Sequence, residues 1–204
     1  MFVITTDQVA SQTHADAVGS AIEQLSAVHG ASFALPPERT AGDEFQVLTG
    51  DSAVALDVAL RLTRDGQWSV GCGVGVVREP LGRGIRESTG DAFVAARESV
   101  DRAKKRATRW ALTSLDRPDA ATHLEALIDL LISTRKRRSP EGWELYDLVR
   151  SGSTQAAAAE ALGITPQAVS LRAQAAELKL ETAVTEALVT LLRDLDSTPN
   201  ERQP

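Results

Sequence analysis

The feature that most limits what this chain can fold into is a change of pattern near residue 117. Before it, short β-branched apolar runs alternate with segments of helical period; after it, no strand-like run occurs. Phe2-Val3-Ile4-Thr5-Thr6 predicts a first strand. Val18, Ile22, Leu25 and Val28 recur at helical spacing between Ala15 and His29, and Gly30 stops that helix. The runs Ser32–Leu35 and Glu44–Leu48, joined through Pro36-Pro37 and the Ala41-Gly42 turn, predict a β-hairpin. Asp51 is placed to cap a helix through Leu62, with Val54, Val58 and Leu62 on one face. Trp68–Val77, WSVGCGVGVV, predicts a fourth strand whose three glycines point to close approach of another backbone or a ligand. A helix from about Ala92 to Thr108 and a strand Trp110–Leu115 follow. Helices and strands thus share one domain of the α+β class, a sheet covered by helices.

Beyond Asp116-Arg117-Pro118-Asp119 the chain predicts helices alone. Leu124, Leu127, Ile128 and Leu131 form one stripe that runs into the basic tract Arg135-Lys136-Arg137-Arg138. Ser139-Pro140 offers an N-cap and a first helical residue for a helix through Trp143 to Val149, and Ser151-Gly152-Ser153 breaks it. Leu180, Val184, Leu188, Leu191 and Leu195 keep register in a last long helix, which ends before the polar tail STPNERQP. The expected domains are residues 1–117 and 118–204.

Composition excludes several classes. Apolar residues make up 43% of the 204, enough for a real core, and the net charge of −6 means that any affinity for DNA has to come from a local patch. The single cysteine, Cys72, rules out an internal disulfide, no Cys/His cluster has zinc-ligand spacing, and His14, His29 and His123 are scattered without a role. Met1 leads directly into a strand-like run, and no segment approaches 18 consecutive apolar residues; a cytoplasmic protein without a membrane partner is the expectation.

The most specific stretch is Thr154-Gln155-Ala156-Ala157-Ala158-Ala159-Glu160-Ala161-Leu162-Gly163-Ile164-Thr165-Pro166-Gln167-Ala168-Val169-Ser170-Leu171-Arg172. It predicts a short helix, a turn at Gly163 and a second helix capped by Thr165 and begun by Pro166, with Ala159, Ile164 and Val169 between the two. The pattern resembles the helix-turn-helix of sigma-factor region four and of winged-helix regulators, here at about residues 153–176. The resemblance implies that the second helix enters the major groove of double-stranded DNA with Gln167, Ser170, Leu171 and Arg172, while Thr154 and Gln155 meet phosphates. Arg135, Lys136, Arg137 and Arg138 are candidates for further backbone contacts.

In the first domain, the hairpin AGDEF, the strand end ITTDQVAS and the segment GDAFVAAR resemble the nucleotide cyclase superfamily, which includes the diguanylate (GGDEF) and class III adenylyl cyclases. The resemblance implies a ferredoxin-like, nucleotide-cyclase-like βααββαβ sheet. It also implies that Asp7 and Asp43 are the metal-binding carboxylates, with Mg²⁺ as the cofactor if a nucleotide is bound, and Gly42, Glu44 and Arg97 the ligand-binding candidates. The chain departs from the pattern at Ala41, where the motif has its first Gly, and at Val94 or Ala95, where the cyclases place a hydrogen-bonding Asn.

Together, GDEFQ, WSVGCGVGVV, GDAFVAAR and the terminal helix-turn-helix are most similar to the SatD-like family of small bacterial proteins. The combination implies a homodimeric DNA-binding transcriptional regulator whose degenerate cyclase-like domain senses a ligand, for which a nucleotide is the candidate, or dimerises. The alternative is an active metal-dependent purine nucleotide cyclase, or a related phosphoryl-transfer enzyme, with a DNA-binding appendage.

Overall fold

The structure, a computed structural model, describes residues 1–13 and 15–197. His14 and the tail from residue 198, neither given a role above, lie outside the described residues. The chain is α+β: a five-stranded mixed sheet and eight α-helices among the described residues. Contacts divide it into two units, one of residues 1–132 with the chain from 188 onward, the other of residues 133–187. The division falls inside two long helices, at 132/133 and 187/188.

The sheet unit begins with β1 (Phe2–Gln8), whose residues from Phe2 to Thr6 are all fully buried, as a strand covered on both faces must be. Then come α1 (Val18–His29), β2 (Phe33–Ala41), β3 (Glu44–Thr49), α2 (Ser52–Leu62), β4 (Trp68–Val74), α3 (Asp91–Ala103), β5 (Trp110–Ser114) and the start of α4 (Pro118–Lys136). The βααββαβ order is corrected: one helix, not two, separates β1 from β2, because residues 9–13 and 15–17 form turns and extended chain, and α3 separates β4 from β5. The sheet order is β2-β3-β1-β4-β5, antiparallel except for the β4–β5 pair. The hairpin arm β2 runs longer than predicted, straight through Pro36-Pro37. It lies at the sheet edge, where prolines without N–H groups cost no second ladder, and its register with β3 shifts on either side of them.

Alternate residues of the strands face different layers. Leu25 of α1, Leu62 of α2 and Trp68 line one recess, and Trp68 stacks edge-on against Phe45 at 5.1 Å. On the opposite face Val3 and Leu48 pack with Ala92 and Ala96 of α3. This layer is thin because β4 presents Gly71 and Gly73 to it: a Cβ at Gly71 would stand 2.1 Å from the Val100 nitrogen, and one at Gly73 2.1 Å from the Ala92 carbonyl oxygen. The matching side of α3 is Ala92, Ala95, Ala96, Ser99, Val100 and Ala103, all buried. Of the two causes the glycines allowed, the close backbone is the one observed. The buried Glu125 of α4 accepts the Leu112 amide of β5 at 2.8 Å and pairs with Arg102 and Arg106, tying α4 beside the last strand.

The second unit holds the end of α4, then α5 (Pro140–Arg150), α6 (Gln155–Leu162), α7 (Pro166–Ala175) and the first half of α8 (Leu178–Asp196). Its core is Leu145, Ala158, Ala159 and Val169, with Leu148, Leu162, Ile164 and Leu178 packed around it.

Candidate functional site

Two places gather the residues singled out from the sequence. The first is on the α3 face of the sheet. The β1–β3 register sets Asp7 opposite Glu44, so these two carboxylates share a face; Asp43 lies one residue earlier, in the turn, where it accepts the Ser11 hydroxyl at 2.5 Å. Each of the paired carboxylates has its own cation. The Arg97 guanidinium grips Glu44 with two hydrogen bonds, 2.5 and 2.7 Å, and Lys104 Nζ stands 2.6 Å from Asp7. Arg97 lies in α3 and Lys104 caps its C-terminal end seven residues on, about two helical turns, so both reach the same strand ends. Thr40 donates to Glu44 Oε1, the oxygen that also accepts from Arg97 Nη2, at 2.5 Å. Glu44 is 4% exposed, and its hydrogen bonds raise the already high pKa of Arg97.

Asp7 and Glu44 are thus each paired with a cation of the chain, Lys104 and Arg97. Among the described residues no three His, Cys, Asp or Glu side chains are grouped to hold a metal. Gly42 presents its carbonyl to Arg39 of its own hairpin at 2.5 Å, and Arg39 also chelates Asp16 at 2.6 and 2.9 Å, holding that carboxyl below its ordinary pKa. Sequence reasoning missed Ser11 and Arg39 as members of this cluster, because their places depend on how the loop after β1 folds back.

Beside the hairpin, on the α1 side, a recess of about 550 Å³ is lined by Gln8, Asp16, Ser20, Asp65 and Gln67, among others. It shares Ala17, Ser20, Asp65 and Gln67 with a neighbouring recess of about 310 Å³. Gln8 fixes its rim, donating to the Ala15 carbonyl at 2.7 Å and accepting the Ala17 amide at 3.0 Å. Its polar lining combines the carboxylates of Asp16 and Asp65 with the amides of Gln8 and Gln67.

The second place is the helix pair α6–α7. Thr154 caps α6 by accepting the Ala157 amide at 3.1 Å; Thr165 caps α7 by accepting the Ala168 amide at 3.2 Å, and Pro166 occupies the first turn. Gly163 ends α6 in the left-handed conformation, φ 61°, which lets the chain reverse without Cβ strain. Val169, fully buried, locks α7 onto Leu145, Ala158 and Ala159. The opposite side of α7 is open: Gln167, Ser170 and Leu171 are exposed, Leu171 to 68%, as are Thr154 and Gln155 at the start of α6.

Arg172 is placed differently. Its side chain is 23% exposed and lies against α5, with Nη1 3.4 Å from Glu144. The basic tract also splits. Arg135 and Arg138 turn inward, their side chains 5% and 3% exposed, each paired with Glu181 of α8 and stacked over Trp143 and Tyr146 at 4.6–5.1 Å. Lys136 and Arg137 remain exposed. Comparison with protein-family models, curated proteins and solved structures gave no match.

Proposed function

We propose that the chain is a DNA-binding transcriptional regulator, with α6 and α7 as a helix-turn-helix and α7 as the helix that enters the major groove. The observation that carries this reading is the two-sidedness of α7: Val169 is locked into the core while Gln167, Ser170 and Leu171 stand exposed on the other side. A capped, core-anchored short helix with hydrogen-bonding side chains outward is the arrangement base reading requires. Thr154 and Gln155, at the N-terminus of α6, are positioned to meet phosphates. The sheet unit, on this reading, is a cyclase-like fold of SatD-like type whose carboxylates are saturated by Arg97 and Lys104. Its role is to bind a small ligand in the recess beside α1, a nucleotide base being the candidate, or to bring two copies together.

Residues 133–187 contain seven Lys or Arg and seven Asp or Glu, so non-specific attraction to phosphate is small. Affinity then rests on base-edge contacts and on two copies binding half-sites a helical turn apart. The test is selection from a randomised duplex library with the full chain, repeated with the double substitution Gln167→Glu and Ser170→Glu, which adds charge on exposed positions. Enrichment of a sequence by the native chain and its loss in the folded double variant are expected. Cyclic product formed from ATP or GTP and lost in Glu44→Ala, without any DNA enrichment, would establish the enzyme reading instead.

A further inference from the structure

The exposed face of α7 extends one turn beyond the residues already named. Gln167, Ser170, Leu171 and Gln174 fall at i, i+3, i+4 and i+7, a single stripe, and all four are exposed. Ser170 and Gln174 also line a recess of about 520 Å³ together with Gln155 of α6 and Lys179 of α8. The stripe contains no cation. Arg172, the residue that would read guanine, is about 100° around the helix from Leu171, the nearest member of the stripe, and engaged with Glu144.

We infer that this stripe reads A·T base pairs, with Gln174 a specificity-determining residue and Arg172 a strut between α7 and α5; the inference rests on the DNA-binding reading above. The chemistry follows from what each edge offers. A glutamine amide donates to N7 and accepts from N6 of adenine, and an apolar side chain covers the thymine methyl, whereas guanine O6 and N7 call for a paired cationic donor that the stripe lacks. Leu171, 68% exposed, is the most exposed large apolar side chain among the described residues, and a thymine methyl packed on it removes that surface from water. From Gln167 to Gln174 the helix rises roughly 10 Å, the height of about three stacked base pairs at ~3.4 Å each. Four side chains at this spacing therefore address successive pairs of one half-site.

The experiment is library selection with the full chain, followed by affinity measurement on the enriched duplex. The native chain is expected to enrich half-sites with about three A·T pairs in succession. Replacing thymine by deoxyuracil in that duplex, which deletes only the methyl, is expected to weaken native binding about threefold to tenfold and to leave Leu171→Ala unaffected. Gln174→Ala is expected to lose about tenfold in discrimination at one position, within the range of a bidentate amide–adenine contact, while Arg172→Ala keeps the native motif. An enriched motif with guanine at these positions overturns the inference and leaves the DNA-binding reading intact, as does an unchanged motif in Gln174→Ala or a native chain indifferent to deoxyuracil. Absence of any enriched duplex overturns both, and directs attention to the same stripe as a protein-docking face.

Discussion

The closeness of α3 to the sheet gives the sharpest prediction. In Gly73→Ala the new Cβ would meet the Ala92 carbonyl oxygen at 2.1 Å and the Ala96 nitrogen at 2.3 Å, both backbone atoms with no rotamer to escape into. Moving the first contact out to the 3.4 Å of ordinary van der Waals packing requires α3 to recede by roughly 1.3 Å. That shift loosens Ala92 and Ala96 from Val3 and Leu48, and it draws Arg97 and Lys104 away from Glu44 and Asp7. Overpacking of this kind costs about 3 kcal/mol, the upper end of its usual range, because only backbone can give. The smaller entropy of an unfolded alanine returns about 0.5 kcal/mol of it. A net loss of about 2.5 kcal/mol lowers the melting temperature of a unit this size by about 5–10 °C. Calorimetry, with peptide-resolved hydrogen exchange over β4 and β5 to assign the transition to the sheet unit, measures it. Gly75→Ala is the control: its nearest atom would be 3.4 Å away, so it should melt within about 2 °C of the native chain. If the two substitutions behave alike, or Gly73→Ala melts with the native protein, the tight α3–β4 layer is wrong.

Glu181→Ala removes the carboxylate paired with both buried arginines, Arg135 and Arg138, and should cost the helical unit about 3–5 kcal/mol in urea denaturation; adding Arg135→Met and Arg138→Leu should recover most of that loss. Removing the Asp51 carboxylate, which accepts the Ala53 and Val54 amides, should cost about 1 kcal/mol, and an unshifted melting curve for Asp51→Ala would contradict its capping role. Burial pushes the Cys72 thiol up from its ordinary value near 9 to about 12. The folded chain thus keeps this proton where the unfolded chain has lost it: stability is untouched below about pH 9 and declines as pH rises toward 12, by up to about 4 kcal/mol. Urea midpoints at pH 8 and pH 11 should therefore fall more steeply in the native chain than in Cys72→Ala. With Arg135 and Arg138 sequestered, binding to DNA should show a shallow dependence on salt. The four exposed cations of residues 133–187, Lys136, Arg137, Arg150 and Lys179, predict a slope of log K against log salt no steeper than about −3.6 per bound protomer, and a slope of about −5 or steeper per bound protomer in an anisotropy titration would contradict the burial of Arg135 and Arg138.

Much of the layout was legible because local rules decide it. A β-branched, apolar FVITT has little choice but a buried strand, Asp51 and Thr165 cap where their side chains reach free amides, and Gly163 supplies the one conformation a tight helix turn needs. The length of β2 was not legible, since Pro36-Pro37 reads as a break unless the strand is known to be an edge. Nor was the partner of Asp7. The resemblance to nucleotide cyclases implied Asp43, but the strand register, fixed by which side chains fill the α3 face, puts Glu44 opposite Asp7.

The same limit applies to charge. The run Arg135-Lys136-Arg137-Arg138 is one basic tract when read along the chain. The tract straddles the end of α4, with Arg137 and Arg138 in the connection to α5, and the packing of Trp143, Tyr146 and Glu181 decides that Arg135 and Arg138 are interior while Lys136 and Arg137 are exposed. The sequence by itself determined the elements, their caps and the anchored helix pair, because those depend on neighbours a few residues away. Which carboxylates meet, which arginines are spent on the core and which side of α7 is left open were decided only by tertiary structure, because they depend on groups 28 to 53 residues distant in the chain.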